Sequence, residues 1–233
     1  MSIRLFPGIS ARVAALCVVM AFLAALPLSG AEPADTLTAR YVFGHLKTPA
    51  LDLLSPGIRQ DMIAYYDAGK AFEARNEMQG VSTLDSLTRN YASATITPVS
   101  DVAIMTVPYG KSGLALLSYT VDAGGADSEL IVIDASLRQL PVKKFFTEPV
   151  LADFVSAAGM DRKKAAALGE LMDFLTVSYT FDPQTLAMTA TPTVKDVMSE
   201  ENYTRLKPYI TLPDGSLRTL LYRWDGKALR LQK

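Results

Sequence analysis

The chain has 233 residues, and its 23 Lys and Arg residues against 24 Asp and Glu residues give a formal net charge of −1. The charges are dispersed, so the chain lacks the basic surface that nucleic-acid binding requires, and we expect no nucleic-acid partner. The sequence has one cysteine, Cys17, and one histidine, His45. A disulfide within the chain and a zinc site built from several cysteines or histidines are therefore excluded.

The first 31 residues have the three parts of a secretory signal peptide. Arg4 and Arg12 form the positive beginning, residues 13–28 form an apolar run, and Ser29-Gly30-Ala31 is a small-residue cleavage site. The apolar run is shorter than the roughly 20 residues that a membrane-spanning helix needs. We therefore predict cleavage after Ala31 and a periplasmic or secreted protein without a stable membrane span. A retained membrane anchor is the alternative.

Residues 32–39 are polar and include a proline, and they predict a disordered leader before a single α+β domain over residues 40–233. Thr48-Pro49 and Ser55-Pro56 each place a hydroxyl N-cap before a proline at the first helical position. They predict a short helical turn and then a longer helix. Gly69 is the expected end of that helix.

From residue 72 the apolar residues alternate with a period of two, which predicts strands. The predicted strands of this half are Phe72–Met78, Val81–Leu87, Tyr91–Thr97, Val102–Val107, Leu114–Val121 and Leu130–Ile133. The connections between them are short and rich in turn residues, as at Gln79-Gly80 and Gly124-Gly125. Such short connections require antiparallel neighbours.

The second half repeats the order of helix and then strands. Its predicted helices are Pro149–Ala158, Arg162–Leu175 and a short helix capped by Ser199, and its predicted strands are Val177–Phe181, Leu186–Ala190, Leu217–Trp224 and Ala228–Leu231. Asp225-Gly226 is the clearest hairpin turn in the sequence.

Together these elements predict an α+β fold with helices packed on one face of an antiparallel sheet of about eight strands. Two tandem helix-plus-meander halves, residues 40–147 and 148–233, are a further possibility that gene duplication would explain. Leu114-Ala-Leu-Leu-Ser-Tyr119 and Leu217-Arg-Thr-Leu-Leu-Tyr222 have similar apolar patterns, which favours a duplication.

Two loops resemble ligand-binding motifs. Gly110-Lys111-Ser112 resembles the end of a phosphate-binding loop, but Met105 stands where the first glycine should be and a strand, not a helix, follows. We interpret it as a hairpin turn. The loop of residues 122–129 has three carboxylates, but their spacing does not match a calcium-binding EF-hand, so we interpret it as a solvated loop. We therefore predict no metal and no cofactor.

Aromatic and acidic residues suggest two further functions, a binding surface and acid–base catalysis. An aromatic binding surface could be formed by Tyr65, Tyr66, Tyr119, Tyr179, Tyr222 and Trp224, although such residues more often cap a core. Acid–base catalysis could use carboxylates such as Asp61, Asp67, Asp153, Glu170 and Asp173. A Ser-His-Asp triad would have to use His45, but the sequence has no G-x-S-x-G nucleophile motif. It also has no Ser-x-x-Lys motif, so we predict no catalytic residue.

Short motifs also suggest covalent modification. Asp35-Thr36-Leu37 and Asp85-Ser86-Leu87 resemble the O-glycosylation acceptor of Bacteroidota, which makes Thr36 a candidate in the expected leader. Asn202-Tyr203-Thr204 matches the N-glycosylation pattern, but a match of three residues is common by chance.

The beginning of the expected domain resembles a known family. The segments Val42-Phe43, Pro49-Ala-Leu-Asp-Leu-Leu54 and Arg59-Gln-Asp-Met-Ile-Ala-Tyr65-Tyr-Asp-Ala-Gly69, followed by a long meander, look like a family of secreted Bacteroidota proteins of unknown function. The resemblance implies an envelope protein and supplies no activity. At the level of fold alone, the layout is also similar to β-lactamase-inhibitor-protein-like and PepSY-like folds.

The sequence therefore favours an exported, non-enzymatic binding module of the periplasm or envelope. Its expected partner is an envelope protein, peptide or glycan held by a sheet face or an exposed strand edge. The alternative is a carboxylate-based hydrolase that acts on envelope glycans.

Overall fold

The structure is a computed structural model that describes residues 36–155, 168–170, 175–193, 198–210 and 217–232. The α-helices that lie fully within these ranges are α1 (Ala39–His45), α2 (Pro56–Asp67), α3 (Leu151–Val155) and α4 (Glu200–Leu206). Short 3-10 helices span Pro49–Leu51, Val142–Lys144 and Lys207–Tyr209. The predicted signal peptide and most of the predicted helix Arg162–Leu175 lie outside the described residues.

The strands form two antiparallel sheets. The first sheet runs in chain order through β1 (Ala74–Arg75), β2 (Val81–Leu87), β3 (Tyr91–Thr97), β4 (Ser100–Val107), β5 (Leu114–Asp122), β6 (Ala126–Ile133) and β7 (Gln139–Leu140). The second has the order β11 (Leu229–Leu231), β10 (Leu220–Trp224), β9 (Ala187–Pro192) and β8 (Val177–Asp182). The α+β class and the antiparallel arrangement are thus confirmed, with the strands divided between two sheets.

The helical layer covers one face of the first sheet. Val42 and Phe43 of α1 and Met62 of α2 are fully buried in one core with β-strand residues such as Ile104 and Leu117. The helix α2 begins at the predicted Ser55 cap, whose side chain accepts from the backbone N–H of Ile58, and ends before Gly69. Gly69 has a φ of 63°, a conformation that favours glycine.

Arg59 ties the two helices of this layer together. Its side chain is 2% exposed, and its Nη1 donates to the carbonyl oxygens of Phe43 at 2.6 Å and Leu46 at 2.8 Å. These carbonyls belong to the last turn and the C-cap of α1, where backbone acceptors lack helical partners. Burial lowers the pKa of Arg59, and the nearby Asp52 acts in the opposite direction.

The opposite face of the first sheet packs against the second sheet. Met105, Leu116 and Val132 form a row across β4, β5 and β6, and they share a core with Met188 and Tyr222 of the second sheet. The central strands are therefore buried on both faces over part of their length. Continuous burial explains the unbroken apolar runs at the start of β5 and the end of β6.

Several boundaries differ from the sequence prediction, among them the start of β6, the start of β10 and the extent of the first strand. The first strand was expected over Phe72–Met78, but β1 has two residues because the chain turns at Asn76. The Asn76 Oδ1 accepts from the backbone N–H of Met78 and of Gly80, while its Nδ2 donates to the carbonyl of Ile96. A buried side chain thus makes the turn inside the predicted strand.

The folded chain also begins earlier than predicted. Leu37 is 6% exposed and its backbone N–H donates to the carbonyl of Ser112, and Thr38 caps α1 by accepting from the N–H of Tyr41. The prediction of a disordered leader is therefore wrong for residues 37–39, because the Thr38 cap starts a helix whose buried face includes Ala39. No helix within the described ranges has the length and apolar character needed to cross a membrane.

Candidate functional site

A groove lies where the second sheet stops covering the first. It has a volume of about 280 Å³ and runs between the outer face of β2–β5 and the strand β8. Its polar and aromatic lining residues are Asp85, Tyr91, Ser93, Asp101, Thr120, Ser178, Tyr179, Thr180 and Phe181. We call this feature the sheet-face groove.

Side chains that can form hydrogen bonds follow one another across the sheet in register, and Asp101 and Thr120 of this row line the groove. Opposite one another on successive strands from β2 to β6 lie Thr83, Thr95, Asp101, Thr120 and Ser128. Neighbouring strands are about 4.8 Å apart, so the members of this row follow one another at that spacing. Alternation along each strand places these polar residues on the face opposite the helices.

Asp85 owes its position to a register shift in β2. Leu84 pairs with Ala94 and Ser86 with Ser93, which leaves Asp85 without an opposite residue. Such bulges commonly redirect a side chain. The Asp85 Oδ1 accepts from the Thr83 hydroxyl at 2.6 Å, and its Oδ2 accepts from the Thr95 hydroxyl at 3.0 Å. Two hydroxyl groups therefore hold an exposed carboxylate in one orientation.

Asp101 supplies the second carboxylate of the groove. It lies directly opposite Thr95 in the β3–β4 pair and is exposed. Lysine, arginine and histidine do not occur among the described residues that line the groove. The site thus carries two negative charges without a cation in its own lining.

The strand β8 forms a fixed wall. Its backbone N–H groups at Val177 and Tyr179 donate to Asp127 Oδ1 at 3.1 Å and Ser128 Oγ at 2.9 Å, and Ser118 Oγ donates to the carbonyl of Tyr179. These side chains occupy part of an edge that would otherwise be free to pair with another strand. They also correct the prediction of a solvated loop over residues 122–129, because β6 begins at Ala126 and Asp127 anchors β8.

The predicted aromatic surface does not form. Tyr179, Tyr222 and Trp224 belong to the core between the sheets. Burial raises the pKa of Tyr222 to about 12 and also raises that of Tyr179. Tyr65 and Tyr66 are exposed on α2, while Tyr119 packs against the helical core. The six residues are therefore distributed over separate parts of the molecule.

Comparison with known proteins gives a family but no activity. The profile of a family described as "Protein of unknown function (DUF3256)" matches residues 36–229. The chain belongs to the DUF3256 family. This confirms the resemblance to a family of unknown function that the residues after Arg40 suggest. No curated protein sequence is significantly similar to this DUF3256 chain.

A solved structure supports the fold of the DUF3256 chain. The chain is similar to a domain of an uncharacterized protein from Porphyromonas gingivalis W83, with a TM-score of 0.67 and 18% sequence identity. The similarity covers 83% of this chain and 96% of the other. Porphyromonas gingivalis belongs to the Bacteroidota, the phylum of the resembled family. At this identity the likeness shows the fold alone.

In the described part of the DUF3256 chain, the carboxylates considered for catalysis lie on separate segments. Asp67 forms an ion pair with Arg40, and Asp153 accepts from the backbone N–H of Val150 beside α3. Asp61 and Glu170 are exposed on separate segments. Asp173 lies outside the described residues.

The acid–base alternative also gains no support from the pKa values. Among the carboxyl groups of the described residues, those whose pKa departs from the usual value are Asp67, Asp134, Asp182 and Asp225, and in each the pKa is lowered. A glycosidase needs a general acid with a raised pKa.

The remaining candidates have local roles. His45 donates from Nδ1 to the carbonyl of Tyr41 and stacks on its ring. Gly110-Lys111-Ser112 lies in the turn between β4 and β5, as predicted. Within the described ranges no three His, Cys, Asp or Glu residues form a group that could hold a metal.

The sequence interpretation missed Asp85 and Asp101 as site residues. Their signal was present in β2–β4, where Thr83, Ser93 and Thr95 also occupy the outward positions of alternating strands. So many hydroxyl and carboxylate groups on one strand face indicate that no other element of the fold packs over that face.

Proposed function

We propose that the protein is an exported, non-enzymatic binding protein of the bacterial envelope. In this proposal the sheet-face groove holds a positively charged, extended segment of a protein partner. The signal-peptide pattern of residues 1–31 supports export. The groove supports binding, because its polar floor and its fixed β8 wall form a preorganised surface.

The observation that carries the proposal is the pair of exposed carboxylates at Asp85 and Asp101. Both face the groove, and its described lining offers them no cation. A lysine or arginine side chain from a partner could donate to either carboxylate, and such charge-assisted hydrogen bonds are stronger than neutral ones. The Thr83 and Thr95 hydroxyls already orient Asp85, so a partner would lose less entropy in ordering it.

A positively charged peptide fits the groove better than a neutral glycan does. Sugar rings commonly rest on an open aromatic face. The aromatic rings at Tyr91 and Phe181 are partly buried and pack against the core between the sheets. Charge complementarity therefore decides between the two classes of ligand.

Zero-length crosslinking tests this function directly. A carbodiimide joins a carboxylate to a lysine amine only when the two groups are in contact. The tagged full-length chain is treated in its native envelope, purified, and mapped by mass spectrometry. Asp85→Asn/Asp101→Asn is compared with Asp61→Asn/Glu77→Gln, which removes two exposed carboxylates away from the groove.

The expected result is a partner lysine joined to Asp85 or Asp101, with that product lost in the groove variant and kept in the control variant. Partner crosslinks that map elsewhere would contradict the proposal, as would equal capture by both variants. Recovery of the protein alone, or with a bound glycan, would also contradict it.

A further inference from the structure

A second cavity lies at the other end of the sheet packing, where three segments meet. It has a volume of about 460 Å³, within the range of small-molecule pockets. Its lining comes from the β4–β5 turn, the 3-10 helix Val142–Lys144 with the residue after it, and the β10–β11 turn. We call it the turn pocket. It shares no described lining residue with the sheet-face groove.

The three segments are joined by hydrogen bonds. Trp224 Nε1 donates to the carbonyl of Pro108 at 2.8 Å, which fixes the β4–β5 turn to the end of β10. The backbone N–H of Leu229 donates to the carbonyl of Phe145 at 2.7 Å, which fixes β11 to the segment after the 3-10 helix. The pocket is therefore formed by tertiary structure and does not depend on one mobile loop.

Aromatic rings form the apolar side of the turn pocket. Tyr109 packs edge-on against Phe145, with centroids 5.7 Å apart, and against Trp224 at 6.3 Å. Phe145 and Trp224 are buried, whereas Tyr109 is 41% exposed. The Tyr109 ring thus offers an accessible apolar surface supported from behind by two buried rings.

Two lysines form the polar side. Lys144 and Lys227 line the pocket from different segments, and both are exposed. Among the described residues neither ammonium group belongs to an ion pair. The neighbouring carboxylate of Asp225 accepts from the backbone N–H groups of Lys227 and Ala228 and from Arg230 Nε. It is therefore already engaged in its own turn.

We infer that the turn pocket binds a small organic anion, in which a phosphate or carboxylate group contacts Lys144 and Lys227 and a flat apolar body rests on Tyr109. The two cations supply the charge complementarity, and the exposed ring supplies the contact area. An apolar ligand without charge would leave the lysines unused. An inorganic anion alone would leave the ring uncovered.

The single tryptophan of the chain provides the readout. Trp224 contacts Tyr109 and Phe145, so a ligand on the ring changes its fluorescence. The purified full-length protein is titrated with phenyl phosphate, phenylacetate, inorganic phosphate and neutral benzyl alcohol. The first two compounds decide between a phosphate and a carboxylate as the preferred group.

The test compares Lys144→Gln/Lys227→Gln with Lys47→Gln/Lys70→Gln, which removes the same charge from exposed positions outside the turn pocket. We expect saturable binding of an aromatic anion that the pocket variant weakens about tenfold and the control variant leaves unchanged. Equal binding of benzyl alcohol, equal binding by the pocket variant, or no fluorescence change with either aromatic anion would overturn the inference. All four lysines are exposed, so both variants should fold, and thermal unfolding checks this.

Discussion

The two faces of the first sheet differ in how far they are covered. On the helix-side face, β3 to β6 contribute buried apolar residues that share one core with α1 and α2. The other face is apolar only where the second sheet packs on it, around Met105 and Leu116, and becomes polar around Asp101 and Thr120. The same strands therefore provide stability at one end and a ligand-accessible surface at the other.

The strand β6 shows a change of cover within eight residues, on its helix-side face. Its first four residues alternate between half-buried and exposed positions, and its last four are all buried. The exposed residues Asp127 and Glu129 lie on the same face as Ile131 and Ile133 of the helix-side core, so alternation gives way to continuous burial where the helical layer begins to cover β6. We expect substitutions on either side of this point to affect different properties.

The largest expected effect is on the fully covered face. Leu117 is completely buried between Ile104 and Ile131 of the neighbouring strands. Leu117→Ala should lower the free energy of unfolding by about 3 kcal/mol, because it removes apolar contacts and leaves a cavity. Chemical denaturation measures this loss.

The matched control for that prediction is Leu221→Ala, since Leu221 is a leucine on a strand but is 41% exposed. Its substitution should change the free energy of unfolding by less than about 0.5 kcal/mol. A similar loss of unfolding free energy in the two variants would contradict the account that Leu117 is covered and Leu221 is exposed.

A smaller effect is expected at the junction of the two sheets. Asp127→Ala removes the acceptor of the Val177 N–H and should cost about 1–2 kcal/mol of unfolding free energy. Asp122→Ala, at the exposed end of β5, should have little effect. Hydrogen exchange at Val177 provides the local measurement, and unchanged protection of its amide would show that Asp127 does not anchor β8.

The smallest effect is expected at the exposed rim of the helical layer. The hydrogen bond from Arg40 lowers the pKa of Asp67, so this pair stabilises the protein above the usual carboxyl pKa of about 3.9. The contribution is lost as the pH falls through the lowered pKa of the folded state. Thermal unfolding of the wild type and Asp67→Asn should therefore differ slightly at neutral pH and converge in strong acid. A difference that grows toward acid would have the wrong sign.

Most of the fold could be predicted from local signals. The bounds of β2 and β3 follow from alternation, and the start of α2 follows from Ser55-Pro56. The division into two sheets could not be predicted in this way, because it depends on contacts between residues more than 50 positions apart, such as Ser118 and Tyr179. Strand periodicity reports that a face is buried and does not report what covers it.

The candidate site was less predictable for the same reason. Asp85 reaches the groove through a register shift that alternation cannot reveal. Gly110 and Gly226 lie in separate predicted turns of the sequence. The packing of the sheets places both turns, together with Lys144, around one pocket. Export and the glycosylation of Thr36 stay predictions of the sequence.

The groove's binding of positively charged peptide is tested most directly by NMR. The isotope-labelled full-length protein is titrated with a decapeptide of alternating lysine and serine residues, and the amide shifts are mapped. We predict shifts centred on Asp85, Thr95, Asp101 and the β8 residues Ser178 and Thr180, which disappear in Asp85→Asn/Asp101→Asn. Shifts confined to other surfaces, shifts that persist in that variant, or no shifts at millimolar peptide would contradict the account.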